Sequence, residues 1–416
     1  MTEDALRGDL ERRAPGQWEL YRKSAESRQI DASRVLRRTL VRREEGWAAR
    51  WWESGAPRFA AAATSEALLR AIPLAAALAA PSEAPPEWPS RSSPMPEEEP
   101  VAAPPDLFEE LARAVSAAAR GQALLAALSL RKGEARERTV NGAGLDVGQR
   151  YRTFDGVAQA VGRQAGRAHE ARLTFRWTDG PGIEALARRL SDAATLPLAD
   201  RPTPIAHGQW LLDPGVGAAM LAALSPLFTG DRPPRWLGRG RIAAPGLAIA
   251  DDASGDAPFD GEGVPSRRVL LLEDGEMAGR LYDLRAAARA GARSTGHGVR
   301  TSFRTPPGVG PRRIFFETRD PAAPQSLLAS VNRGLFAAAL TAPVRVDLEQ
   351  DRYEIEFTGV SLVAGRAQGP VAGARSTGRI SELLRRITGV STDLQFFPLP
   401  FLAGAPTLLV ERASFE

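Results

Sequence analysis

Hydrophobic and polar positions divide the chain into short runs of two kinds. From residue 17 to about 80, "QWELYRKSAESRQIDAS" has strand-like entry residues. "EEGWAARWWESGAPRFAAAAT" reads as two strands joined at Ser54-Gly55. "SEALLRAIPLAAALAA" follows as a helix with Ser65 as its N-cap. Trp47, Trp51 and Trp52 suit a stacking platform, but aromatic residues of a paired strand with one buried face are the expected reading. Pro81–Pro105 has nine prolines in 25 residues and no periodicity, so it is expected to be a mobile excursion that folding does not need. Beyond it, "DLFEELARAVSAAARG" is a helix capped by Asp106 and stopped at Gly121. Strands then surround the Asn141-Gly142 turn, "HEARLTFRWTD" is a further strand, and "GIEALARRLSDAATL" is a helix.

A proline-rich stretch, "PLADRPTPIAHG", opens a second half near residue 200. "QWLLDPGVGAAMLAALSPLFTGD" reads as a strand and an apolar helix. Strand pairs dominate afterwards: "RRVLLLE" and "EMAGRLYD" around Asp274-Gly275, "RRIFFET", "VRVDLEQDRYEIEFTGVSLVAG" and "PTLLVERASFE". Helices are expected over "SLLASVNRGLFAAAL" and "GRISELLRRITGV". Mixed elements joined by hairpins predict an α+β fold rather than a doubly wound sheet. The expected division is an N-terminal mixed α/β domain with an antiparallel sheet over residues 1–200, and a strand-rich C-terminal domain with a curved sheet or partial barrel over 201–416.

Composition narrows the function. The chain has 416 residues, a net charge of +4 and a pI near 9.9. Lys occurs only at Lys23 and Lys132, so arginine, which does not titrate below about pH 12, sets that pI. The arginines are scattered among Asp and Glu rather than gathered on one stretch, and no nucleic-acid partner is expected. No apolar run is long enough to span a bilayer and the charged N-terminus does not resemble a signal peptide, so a cytoplasmic location without membrane contact is expected. There is no Cys, and His169, His207 and His297 are dozens of residues apart, so no metal site is expected on this chain.

Two stretches carry candidate chemistry. "DGEGVPSRRVLLLEDGEMAGRLYD" places Asp260 and Glu262 beside Gly263 before a hairpin. Three readings are open: a solvated structural loop, a place on a substrate path or subunit contact, and a metal site. The first is favoured, since an EF-hand loop needs oxygens at alternate positions over most of twelve residues. In "STGHGVR", Ser294 and His297 suggest a hydrolytic pair, but a Ser three residues from its base suits a glycine-rich turn better than proton transfer. No catalytic residue is assigned.

"FDGEGVPSRRVLLLEDGEMAGRLYDLRAAARAGARSTG", "ERTVNGAGLDV", "SLLASVNRGLFAAAL", "RYEIEFTGVSLVAGRAQGPV" and "STGRISELLRRITGV" together resemble motifs of the TldD/TldE (PmbA) metallopeptidase family. The resemblance covers about residues 17–416 and is most specific in the second half. It implies a two-subunit peptidase that encloses a chamber for unfolded or flexible peptides. The TldD-type subunit holds zinc on a His-Glu-x-x-x-His helix, whereas Leu221, Ala222 and Pro226 occupy those positions here. The chain therefore resembles the TldE-type, zinc-free subunit. The resemblance implies a zinc-bearing TldD-like partner, a peptide substrate, and self-association as a homodimer when the chain is alone. A stand-alone hydrolase using non-metal chemistry and a pure protein-interaction module are the alternatives.

Overall fold

The computed structural model describes residues 2–90, 107–176, 182–198, 206–231, 233–237, 240–255 and 257–416. The first sheet consists of β1 (Trp18–Ser33), β2 (Arg37–Glu53), β3 (Ala56–Ala62), β4 (Ala123–Asn141), β5 (Asp146–Gln164) and β6 (Arg167–Arg176). Their spatial order is β3-β2-β1-β4-β5-β6, antiparallel throughout. Ser54 and Gly55 both take positive φ, the geometry of a tight hairpin turn that follows the strands' own twist.

Period-two alternation gives this sheet two different faces. Trp18, Leu20 and Trp51 pack with Leu6 and Leu10 of α1 (Thr2–Arg13) and Leu68 and Ile72 of α2 (Ser65–Ala76). Glu19, Tyr21 and Lys23 alternate with that set along β1 and are also buried. At the other end of the sheet, α3 (Leu107–Ala118) and α4 (Ile183–Thr195) cover Leu125, Leu128, Ala158 and Phe175.

The second half adds β7 (His207–Leu212), α5 (Pro214–Leu224), β8 (Leu247–Asp251), β9 (Val269–Glu273), β10 (Glu276–Met277) and α6 (Leu284–Ala290). Next come β11 (Gly298–Val299), β12 (Gly308–Val309), β13 (Arg313–Thr318), α7 (Pro324–Ser330), β14 (Arg333–Leu340) and β15 (Arg345–Asp347). The chain ends with β16 (Arg352–Val363), β17 (Arg366–Arg379), α8 (Ile380–Arg385), β18 (Ile387–Val390), β19 (Gln395–Pro398), β20 (Leu402–Ala405) and β21 (Leu408–Ser414). One sheet runs β10-β9-β8-β13-β20-β19; another runs β15-β16-β14-β7-β21-β18, with β17 on β16. Helix α5 shares one core with strands of both, placing Val216, Met220, Leu221 and Leu224 among Trp210, Ile314, Leu335 and Phe357. The fold is mixed α+β and strand-rich, with its sheets curved into half-barrels.

Several local expectations need correction. "SLLASVNRGLFAAAL" is not one helix: α7 ends at Ser330, and Arg333–Leu340 is the central strand β14. Its burial alternates, and a Cβ on Gly334 would lie 1.9 Å from the Gln209 carbonyl oxygen of the parallel neighbour β7. Alanine's helix preference yields there to pairing on both sides. Likewise "GRISELLRRITGV" is helical only over Ile380–Arg385 before becoming β18. Thr64, not Ser65, caps α2 by accepting from the Ala67 amide; the expected cap Asp106 lies outside the described residues.

The expectation of a mobile excursion fails over its first ten residues; 91–105 lie outside the described residues. Trp88 is buried edge-to-face on Trp52, with ring centres 5.7 Å apart, and its indole N–H donates to Gln17. Asn141 donates to the Pro89 carbonyl, and Glu83 accepts two hydrogen bonds from Arg285. One aromatic anchor and a paired carboxylate hold a segment whose composition alone has no reason to fold.

Candidate functional site

The loop before β9 is built around Asp260. One carboxylate oxygen accepts from the amides of Glu262 and Val264 at 2.8 and 2.9 Å, and the other from Gly298 at 2.8 Å. Gly263 has φ +77°, and a Cβ there would lie 2.4 Å from Leu145 Cδ2, so only glycine fits. This turn aims Glu262 inward. Its two oxygens accept from Arg50 Nη1 at 2.6 Å and from the Leu284 amide, in the first turn of α6, at 2.7 Å.

Asp260 and Glu262 are 2% and 0% exposed, which overturns the solvated-loop reading. For Glu262 the compensating groups are an arginine 212 residues upstream and an otherwise orphan helix N–H, and for Asp260 three backbone amides, none visible in the loop's own composition. Neither side chain is among those lining the cleft described below.

Arg50 belongs to a larger buried assembly. It stands opposite Glu19 in the β1–β2 register and donates to it at 3.0 Å. Its guanidinium lies 5.0 Å from the centre of the Trp88 ring and 5.7 Å from that of Trp52. Arg300 donates to the other oxygen of Glu19 and to the Gly261 carbonyl, and lies 4.3 Å over the Tyr21 ring. The arrangement joins the first sheet to the Asp260 loop through charges that burial makes costly to separate. Burial pushes the Glu262 carboxyl up to about 8; Arg50 pulls it down, while Asp260, Asp283 and Glu19 push it further up. Burial also raises Asp260, against its three amide donors, and Asp283, which caps α6 by accepting from the Ala286 amide.

Beside this assembly a cleft of about 710 Å³ opens between β4–β6 and the loops of the second half. On its floor Glu137 accepts from Tyr151 at 2.8 Å and from Gln149 at 3.1 Å. Burial, followed by the nearness of Glu137, raises the Tyr151 phenol well above its usual range, so it remains a donor. Six arginines line the cleft together with Glu137 and Asp155, and Pro398–Leu402 supplies its apolar part.

Sequence-predicted chemistry fares differently. His297 is buried, as a covered turn requires, but it does have an orienting carboxylate: Nε2 lies 3.0 Å from Asp251, 46 residues away. Its Nδ1 is 3.0 Å from Thr295 Oγ1, and that hydroxyl accepts from the Tyr282 amide. The chain of Thr295, His297 and Asp251 is covered throughout and offers no hydroxyl to a substrate. Ser294 Oγ donates instead to the Tyr282 carbonyl. Leu221 is fully buried in the core, and Ala222 and Pro226 carry no donor atom. No group of three metal-ligating side chains occurs among the described residues. The residues at these helix positions do not fit zinc.

Sequence reasoning missed Glu19, Arg50, Glu137, Tyr151 and Arg300. The one available signal was a carboxylate between Trp18 and Leu20 in a strand whose two faces are both covered.

Residues 210–416 match the family model described as the PmbA/TldA metallopeptidase C-terminal domain. A metalloprotease TldD homolog of Haemophilus influenzae is 29% identical over 174 residues, covering 40% of this chain and 34% of that protein. A metalloprotease of Synechocystis is 33% identical over 106 residues, covering 24% and 22%. The chain thus spans about a third or less of the length of these curated relatives. In fold it superposes on TldE from Thermococcus kodakarensis with a TM-score of 0.86 across the whole of both chains, at 18% identity. The architecture is therefore a metallopeptidase-like α+β fold. The chain belongs to the TldD/TldE (PmbA) family.

Proposed function

We propose that this chain is the zinc-free, TldE-like subunit of a two-chain peptidase, completing a chamber and holding an extended peptide for a TldD-like partner that carries the zinc. The observation that carries this reading is helix α5. Where a metal-binding helix would present two imidazoles and a carboxylate, α5 has Leu221 and Ala222 and the 3-10 turn after it has Pro226, and Leu221 packs into the shared core of two sheets. Leucine there gains about 25 cal/mol per Å² of apolar surface buried, whereas an imidazole in that core would need a partner. In this reading the location is cytoplasmic, and the surface left for the partner is covered by a second copy when the chain is alone.

The test is co-expression with a TldD-like chain bearing His-Glu-x-x-x-His. The expected result is a stable complex that cleaves unfolded peptides, with zinc in the partner only. Cleavage by this chain alone, or no complex on mixing, contradicts the reading.

A further inference from the structure

The cleft between β4–β6 and the second half carries, besides Arg300, cations that the buried Arg50–Glu19–Glu262 assembly beside it does not use. Arg131, Arg152, Arg176, Arg300, Arg312 and Arg313 line it, against Glu137 and Asp155. Some of these cations have acidic contacts: Arg300 holds Glu19, Arg152 reaches Glu134 at 3.4 Å, and Arg131 reaches Asp155 at 3.4 Å. Arg312 does not. Its guanidinium donates to Ser266 Oγ and to the carbonyls of Phe259 and Gly296, all neutral oxygens, and forms no ion pair among the described residues, although its charge helps to lower the Asp260 carboxyl against burial. A half-buried guanidinium whose hydrogen-bond acceptors are all neutral keeps a charge that no direct contact neutralises, and its planar fork matches a carboxylate.

The shape selects among anions. A second cleft of about 500 Å³ shares Arg131, Asp155 and Pro398 with the first, so the two form one groove along the sheet. Together they exceed the roughly 300–1,000 Å³ of a small-ligand pocket and suit a chain in extended form. Side chains of an extended peptide point alternately to opposite sides. A strand alternating acidic and apolar residues would set its carboxylates toward the arginines and its apolar groups toward Pro398–Leu402.

We infer that this groove binds an extended peptide through a carboxylate held by Arg312 and its neighbours, selecting acidic, alternately apolar segments. The inference deepens the peptide-holding reading above and rests on it for substrate class. Yet it is testable on the isolated chain, so its failure is separate from a failure to form the complex.

The experiment is fluorescence anisotropy of the full chain with three labelled hexapeptides. One is amidated Glu-Val-Glu-Val-Glu-Val, the second its amidated Gln counterpart, and the third the Gln counterpart with a free C-terminus. The acidic peptide is expected to bind at least about tenfold more tightly than the amidated Gln peptide, the change worth one charge-assisted hydrogen bond. Arg312→Gln is expected to abolish that preference and Arg312→Lys to restore part of it. Arg152→Gln, which leaves the Arg312 contacts intact, should weaken it too. If the free-terminus Gln peptide binds as tightly as the acidic one and loses affinity in Arg312→Gln, the carboxylate recognised is a chain terminus and the site stands. Equal binding of all three peptides overturns the inference. So does an acidic preference unchanged by both Arg152→Gln and Arg312→Gln, or one reduced equally by Arg43→Gln on the exposed β2, since each is surface attraction alone.

Discussion

Arg50 and Glu262 are hydrogen-bonded partners whose removal should have opposite consequences. Arg50→Met takes away the cation that touches both Glu19 and Glu262 while leaving both carboxylates covered, at 1% and 0% exposure. Deleting one member of a buried ion pair costs about 3–5 kcal/mol because the survivor stays buried. Arg300 still holds Glu19 and the Leu284 amide still holds Glu262, so the lower end, about 3 kcal/mol, is expected at neutral pH. Glu262→Gln keeps an oxygen for the Leu284 amide and removes a group whose ionisation the site resists. Folded Glu262 titrates near 8, while in the unfolded chain it titrates near 4.3. Between those values the folded state binds the extra proton. Stability from this group is therefore complete below about pH 4.3 and is lost as pH rises toward 8, at up to about 1.4 kcal/mol per unit. Glutamine has no such loss, so Glu262→Gln is expected to be more stable than the parent at pH 8, with the gain growing from pH 5 upward. Losing Arg50 lifts the Glu262 pKa further, so the cost of Arg50→Met grows as pH passes 8. Urea unfolding at pH 5, 6.5, 8 and 9, followed by tryptophan fluorescence, reads both, because Trp52 and Trp88 lie against Arg50. A Glu262→Gln variant less stable than the parent at pH 8 would refute the reasoning by showing an ionised glutamate that Arg50 needs.

Other outcomes follow from packing and composition. Trp88→Ala should cost about 3 kcal/mol or more, the loss of a buried aromatic anchor, and should expose residues 82–90 to limited proteolysis. Gly46→Ala places a Cβ 2.3 Å from the Phe303 ring and should cost about 1–3 kcal/mol by thermal melt, since a rigid ring over Tyr21 and Ala48 has nowhere to go. Elemental analysis of the chelator-free chain should find no stoichiometric zinc; one tightly held metal per chain would contradict the reading of α5. Sedimentation of the isolated chain at tens of micromolar should show a homodimer, and a stable monomer counts against a docking surface.

What the sequence made legible was local. The Ser54-Gly55 and Asp274-Gly275 turns stand where the dipeptides placed them, because positive φ at both positions is a demand that few residue pairs meet. The Trp51 and Trp52 strand is paired and buried as its aromatic content implies, and the α+β class follows from the hairpins. Two kinds of information were missing. Strand β14 is rich in alanine, and only its central place between β7 and β16 makes it a strand. Asp260 and Glu262 have the composition of a solvated loop, and partners distant in sequence, the Gly298 amide for Asp260 and Arg50 and the Leu284 amide for Glu262, make their burial tolerable. Long-range compensation of charge leaves no periodicity to read. The same holds for the cleft, whose arginines come from β4, β5, β6 and β13 and from the loops near Arg300 and Arg312, and gather only when the halves meet.

The central claim is that this chain supplies structure and substrate-holding to a partner that supplies zinc. The most direct measurement is peptide cleavage by this chain, by a TldD-like chain, and by the two mixed, with zinc determined in each purified species. The account predicts a stable complex with zinc in the partner alone, no cleavage by this chain, and cleavage on mixing that is lost when the partner's zinc-binding histidines are replaced. Cleavage by this chain without the partner, or a mixed sample in which the two never associate, would contradict it.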